Sequence, residues 1–263
     1  MATRATKPEP LEAFKLNMED AYRLVLIAEA LTNQRQRRMR LELRKKIGEV
    51  LRIRASEQDR LDWVRSDDAC VILLPGSRLT RQALSDQRPL LRQALVAGCA
   101  AMETFVFDVA MQNIGALLRS HDAASVRLKQ VQMSVGDWLY IEQYYERRRR
   151  GLRERVVSPY MREFASTSPK KVGEVLSMLG ISGWARQVDR GRGVPQGRSV
   201  EALDRITARR NRIAHQGDRQ GFGRALITID EVRSELSCLE SIVAGIDVLL
   251  RSSLGTIRGS VDA

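Results

Sequence analysis

The sequence predicts an all-α fold, and three observations carry the prediction. Apolar residues recur at three- and four-residue spacing over long stretches, from Leu11 to Leu31, from Pro89 to Leu118 and from Thr228 to Leu250. Residues that start and stop helices bound such stretches, Ser168-Pro169 and Thr228 at starts and Gly180 and Gly217 at ends. Only one short run, ACVILLP at 69–75, reads as a strand.

Taken in order, residues 1–10 read as a disordered leader. The first helix then carries Leu11, Phe14, Met18, Tyr22, Val25, Leu26 and Ala30 on one side. A second helix over 34–54 is dense in base: Arg35, Arg37, Arg38, Arg40, Arg44, Lys45 and Lys46. Leu41, Ile47, Val50, Leu51 and Ile53 are left to pack inward. Its basic side is either a solvated face or a surface that tracks phosphates. ACVILLP is a buried strand or a buried loop; its length favours a strand, although no partner for it is evident. Residues 80–87 form a short helix ahead of Pro89.

Pro89 opens the clearest pattern, with Leu91, Leu95, Cys99, Met102, Phe105, Val106, Val109, Asn113, Leu117 and Leu118 on one face. Glu103 flanks that face. Residues 122–157 read as a helix bent near Gly136. Within it Tyr140, Tyr144 and Tyr145 precede a run of Arg147, Arg148, Arg149 and Arg150. Those tyrosines are core-edge residues, or they stack single-stranded bases while the arginines take phosphates. A helix begins at Ser168-Pro169 and stops at Leu179-Gly180, with Trp184 packing the next turn. Residues 189–198 are the most loop-like in the chain, a connector or a basic segment able to close over a strand.

The next helix runs from an N-cap at Ser199 to Gly217. GDRQGFGRA follows as a glycine-rich loop, in which Gly221-Phe222-Gly223 is too slight to signal a phosphate cradle. Thr228 and Glu231 fit a capping box, stapled by Ile227 and Val232. Beyond it Val232, Leu236, Leu239, Ile242, Val243, Ile246, Leu249 and Leu250 make a stripe suited to intrachain packing or to a dimer seam. The tail after Leu254 should fray.

Composition narrows the function. With 44 Lys and Arg against 32 Asp and Glu, the formal charge is +12, which points to a polyanion such as nucleic acid or to plain solubility. Cys70, Cys99 and Cys238 are far apart and odd in number, as in a reducing cytosol. The apolar run at 24–28 is too short for a secretory signal, and no run approaches the ~20 residues of a spanning helix. No metal-ligand spacing, phosphate loop, dinucleotide fingerprint or nucleophile elbow is present. The expectation is a cytoplasmic protein with no cofactor, no metal and no membrane partner.

The chemistry concentrates in RRNRIAHQGD, residues 209–218. On a wheel of about 100° per residue, Val200, Leu203, Ile206, Ile213 and Ala214 form an apolar stripe with Arg210 in its middle. Asp204, Ala208, Asn211 and His215 form the adjacent row, and Arg205, Arg209 and Arg212 fall on the far side. A guanidinium on an apolar face is costly unless a carboxylate or phosphate meets it. Glu103 is a natural partner for Arg210 if the two helices run antiparallel. A histidine side chain such as His215 can move protons at a phosphodiester. The other histidine, His121, sits in the polar, turn-like Ser120-His121-Asp122. A lone helical histidine is also compatible with a purely structural role.

Arg210-Asn211 and His215, followed by Gly217, a short loop and a long terminal helix, resemble the Arg-x4-His signature of the HEPN family. Residues 90–119 with Glu103 resemble that family's first core helix, and residues 166–187 resemble the connecting segment of its RiboL-PSP type. The resemblance covers roughly 88–252. It implies a HEPN-type antiparallel bundle over 88–263, preceded by an N-terminal basic helical region at 1–87. It also implies a metal-independent endoribonuclease acting as a homodimer, with a role as toxin or antiviral-defence effector under an antitoxin or defence partner. Carried onto this chain, Arg210 binds the scissile phosphate, His215 is general acid or base, Asn211 orients His215 or its partner, and Glu103 positions Arg210. Arg209, Arg212 and Arg147 to Arg150 would hold RNA. Where some HEPN toxins carry a modifiable tyrosine two residues after the histidine, this chain has Gly217, so regulation of that kind is not implied. The rival expectation is a non-catalytic HEPN-like module that binds RNA or a nucleotide, or scaffolds a defence complex.

Overall fold

The computed structural model describes residues 8–32, 39–65, 69–78, 80–119 and 130–261, with backbone alone at 116–119 and 254–261. The fold is all-α. Helix α1 spans Pro10–Ala30, α2 Leu41–Val50, α3 Arg81–Ser85 and α4 Arg88–Arg119. Helix α5 spans Val135–Tyr144, and α6 (Arg148–Leu152) passes through a π-turn at Arg153–Val157 into α7, Ser158–Arg162. Helix α8 spans Pro169–Met178, α9 Trp184–Arg192, α10 Arg198–Gln216 and α11 Ile229–Val261. Among the described residues the strand content is two small hairpins, β1 (Asp62–Arg65) with β2 (Cys70–Leu73), and β3 (Arg219–Gln220) with β4 (Gly223–Arg224).

Side-chain pairs fix the helix directions. Along α4, Arg92 meets Asp218 and Glu103 meets Arg210, so α4 and α10 run antiparallel. Arg205 and Arg209 of α10 meet Glu235 and Glu231, so α10 and α11 do too. Helix α1 opposes α4 through Glu9–Gln112 and an edge-on Phe14–Phe105 contact at 6.0 Å. It opposes α11 through Tyr22–Glu240 and Glu29–Arg233. The α4–α11 contact is close because Gly98 leaves room for Leu236, whose methyl would lie 2.3 Å from an added Cβ.

The core joins Met18, Met102, Phe105, Leu203, Ile206, Leu236, Leu239 and Ile242, each almost fully buried. Burying such side chains stabilises by about 1.5–3 kcal/mol apiece. Helix α1 belongs to this same core, so for α1 the expected boundary at 87/88 does not separate two cores. The expectation that no segment is apolar enough to span a membrane also needs correction. Arg88–Gly115 passes by length and composition, but 61% of its most apolar window is buried, against α1, α10 and α11.

Several local expectations shift for identifiable reasons. Ala21 and Ala28 replace Leu26 on the buried side of α1, where small residues let α4 approach. Helix α2 is shorter than 34–54, and Leu41, Val50 and Leu51 are exposed because only Gly48 seats closely, on Gln58. The predicted strand exists, but it pairs with Asp62–Arg65 and exposes Cys70 and Ile72. Gly136 lies inside the first turn of α5, which Ser134 caps by accepting the Asp137 amide; the break falls at 145–147 instead. Residues 189–192 are helical, leaving only 193–197 as connector. The last helix continues to Val261 rather than fraying after Leu254. Thr228 caps it as expected, its Oγ1 accepting from the Glu231 amide, with Ile227 and Val232 buried beside it. Arg35, Arg37, Arg38, His121 and the side chains of Leu117 and Leu118 lie outside what the structure describes.

Candidate functional site

Helix α10 carries the Arg210/His215 motif, and a buried aspartate secures each of its ends. At the N-terminus Asp189, 1% exposed, accepts from the Gly197 amide at 2.7 Å and the Ser199 amide at 2.9 Å. A carboxylate there satisfies orphan amides and suits the positive end of the helix dipole. Ser199 is therefore not the cap: Gly197, at φ 93°, fills that position. The Ser199 hydroxyl instead accepts from Arg192.

At the C-terminus Gly217 turns into the left-handed region at φ 60°, and the Asp218 amide closes back on the Arg212 carbonyl. The Asp218 carboxylate is fully buried and accepts from Arg92 Nε at 3.0 Å and Arg209 Nη2 at 2.9 Å. Arg92 also donates to the Ala225 carbonyl and Arg209 to the Leu226 carbonyl. Two arginines thus tie the end of α10, the start of α11 and the intervening hairpin to α4.

Arg210 lies half-buried between α4 and α10. Its Nη2 donates to Glu103 Oε2 at 3.0 Å and its Nη1 to Asn211 Oδ1 at 3.1 Å. Glu103 also accepts from the Thr167 backbone amide and has Lys171 nearby. Burial nevertheless pushes its carboxyl above the usual range, the Arg210 charge opposing without cancelling. Beneath the pair, burial pushes the Cys99 thiol up to about 12, which makes it a packing residue rather than a nucleophile. Thr167 and Thr207 share a hydroxyl hydrogen bond at 2.8 Å, fastening α10 to the segment before α8.

His215 and Asn211 are exposed, as is Ala214, which leaves the apolar stripe assigned to it. His215 stands at the rim of an open depression lined by Gln216, Gly217, Arg219 and Arg224. Arg210 does not line it. The structure thus unites Arg210 with Glu103 and Asn211, while His215 faces solvent one turn further on. Within one chain Asn211 accepts from Arg210.

The arginines divide. Arg209 is not on an outer face: it is turned inward onto Asp218 with its side chain 14% exposed, so it is spoken for. Arg212 is exposed and carries no ion pair among the described residues. Arg147 to Arg150 are exposed, but Arg148 pairs with Glu142 and Arg150 with Glu154. The tyrosine cluster is self-stacked, with Tyr140 at 4.6 Å from Tyr144 and covered by Arg155 at 4.1 Å.

Sequence reasoning missed Arg92, Asp189 and Asp218. The signal for Asp218 was its place directly after a helix-ending glycine. Nothing local marks Arg92 or Asp189, whose partners lie on other elements. Among the described residues no three His, Cys, Asp or Glu side chains gather as a metal site. No protein-family profile, curated protein or solved structure matches the chain.

Proposed function

We propose that the chain is a metal-independent endoribonuclease of the HEPN type that works as a homodimer. The observation that carries the reading is the Glu103–Arg210 pair at 3.0 Å, a half-buried guanidinium held on the same helix as an exposed histidine. Pairing to one carboxylate oxygen leaves Arg210 charged and oriented. His215 is free to exchange protons with a ligand.

RNA cleavage without a metal needs a base to take the 2′-OH proton, an acid to protonate the departing 5′-oxygen, and a cation beside the pentacovalent phosphorus. Among the described residues one chain offers one His, His215, with Arg210 on the same helix. Two copies meeting along α10 supply both proton carriers and two guanidiniums. The 2′-oxygen attacks phosphorus, the bond to the 5′-oxygen breaks, and the products are a 2′,3′-cyclic phosphate and a 5′-OH. In this reading Arg210 contacts the scissile phosphate, Glu103 and Asn211 position Arg210, and His215 is general acid or base.

By the family resemblance its setting is that of a cytoplasmic toxin or antiviral effector, restrained by an antitoxin or defence-system partner. A second reading, a non-catalytic module that binds RNA or scaffolds such a system, is favoured by the absence of Arg210 from the His215 depression.

The test is incubation of purified protein with labelled RNA in EDTA. Cleavage to cyclic-phosphate ends is expected. A divalent-ion requirement, or cleavage of a 2′-deoxy substrate, defeats the mechanism; binding without cleavage selects the second reading.

A further inference from the structure

The chain between α10 and α11 is a hairpin whose base is buried and whose tip is bare. Asp218, fully buried, binds Arg92 and Arg209, and the Ala225 amide closes on the Asp218 carbonyl. Ile227 then enters the core. Above this clasp Arg219 faces Arg224 and Gln220 faces Gly223 across the turn. Every residue from Arg219 to Arg224 is exposed, and Phe222 at the tip is 114% exposed, more than any other large apolar residue described.

Neither folding nor turn chemistry calls for that phenylalanine. The turn needs a residue with positive φ at its first central position, and Gly221 supplies it at φ 58°. The second position accepts small polar residues, so an aromatic there serves no local purpose. Isolated hairpins this short are marginal in water, yet this one is anchored by two guanidiniums on a buried carboxylate. Such ion pairs contribute little net stability and chiefly specify position. An arm anchored at its base thus carries one bare ring at its tip, and Arg219 and Arg224 of the same arm line the depression with His215. Neither arginine has an ion pair among the described residues, and Asp218 at the base of the hairpin is already paired with Arg92 and Arg209. Positive charge and a free aromatic face together suit single-stranded nucleic acid, whose bases all offer a π-face.

We propose that this hairpin is a nucleobase-stacking element for single-stranded RNA at the His215 depression. Phe222 stacks on an unpaired base next to the scissile link, and Arg219 and Arg224 contact the flanking phosphates. The choice of RNA rests on the endoribonuclease reading. The stack itself is a separate claim with its own readout.

The experiment uses the full chain as Phe222→Trp, titrated with a single-stranded 2′-O-methyl oligonucleotide, which has no free 2′-OH to attack phosphorus. Tryptophan emission should quench beyond the background of Trp63, Trp138 and Trp184 measured in the wild-type chain. With cleavable RNA, Phe222→Ala should raise KM about tenfold with kcat within about twofold, in line with the ~1–3 kcal/mol typical of one base–aromatic stack. Phe222→Tyr should restore KM and Phe222→Leu should not. Cleavage without added quenching, or an unchanged KM in Phe222→Ala, overturns the stack and leaves the nuclease reading intact. Quenching without cleavage retains the stack and defeats the nuclease. Loss of the dimer in Phe222→Ala with RNA affinity unchanged overturns the proposal, because the ring then seats on a second copy.

Discussion

Two arginine-rich regions of this molecule look alike in composition and differ in what their charge is free to do. In the run at 147–150, carboxylates of the same segment take two of the four arginines, Glu142 taking Arg148 and Glu154 taking Arg150, and just beyond the run Asp137 takes Arg155. At the end of α10 and along the hairpin, Arg92 and Arg209 are consumed by one buried carboxylate, while Arg212, Arg219 and Arg224 carry no ion pair among the described residues. Charge density along a sequence is therefore a poor guide to available charge. A run is partly quieted when acids stand within a turn or two of it. A sparser set is exposed when its acid is buried beneath it.

Stability should separate the two regions most sharply. Asp218→Ala leaves Arg92, 6% exposed, with no carboxylate, and should cost about 3–5 kcal/mol in urea unfolding. Glu154→Ala, in the exposed pair, should leave the unfolding midpoint essentially unchanged. Equal effects would mean that the buried clasp is no more than a surface pair.

Activity comes next. His215→Ala should reduce RNA cleavage in EDTA by about 10²–10⁴-fold, the range for a positioned general acid or base. Its melting temperature and sedimentation should match the parent chain, because His215 is exposed and makes no core contact. Loss of folding would assign it a structural role.

RNA affinity gives a gentler contrast. The triple change Arg212→Gln, Arg219→Gln, Arg224→Gln should flatten the slope of log affinity against log salt by about 2, at ~0.7 per phosphate contact on a single strand. Arg148→Gln with Arg150→Gln should flatten it by well under half as much. The reverse order would return the run at 147–150 to the centre of RNA binding.

The smallest effect concerns Glu103, whose carboxyl burial holds above its ordinary value. A carboxyl raised on folding lends stability that is present below its unfolded pKa and is lost as pH rises through the folded one. Relative to Glu103→Gln, which cannot ionise, the parent chain should therefore lose stability from about pH 4 towards neutrality. Melting curves over that range check the sign. A gap that closes with rising pH would mean that attraction to Arg210 outweighs burial.

Much of the fold was legible because helices announce themselves locally. The apolar period of α4 and α11, the Thr228–Glu231 box, Pro169 at the start of α8 and the glycines at 180 and 217 each act within a turn or two of chain. Glu103 was legible as the partner of Arg210 because both interrupt apolar faces, and a buried charge needs its opposite. Less visible were features whose partner is distant. Asp62–Arg65 pairs with Cys70–Leu73 without apolar alternation to announce it. Arg209 looked exposed on the wheel until Asp218, in αL beyond the helix end at φ 58°, drew it inward.

The sequence alone determined that the chain is helical, where its main helices run, and that α10 carries Arg210 on its apolar side and His215 on the adjacent row. Those properties depend on residue spacing and terminal chemistry, which act over a few residues. Tertiary structure alone decided which arginines remain available, which ring of the hairpin stands bare, and how both ends of α10 are secured. Those depend on where a buried carboxylate comes to rest. Asp218 meets Arg92 across 126 positions of chain, and no local pattern encodes a contact of that span.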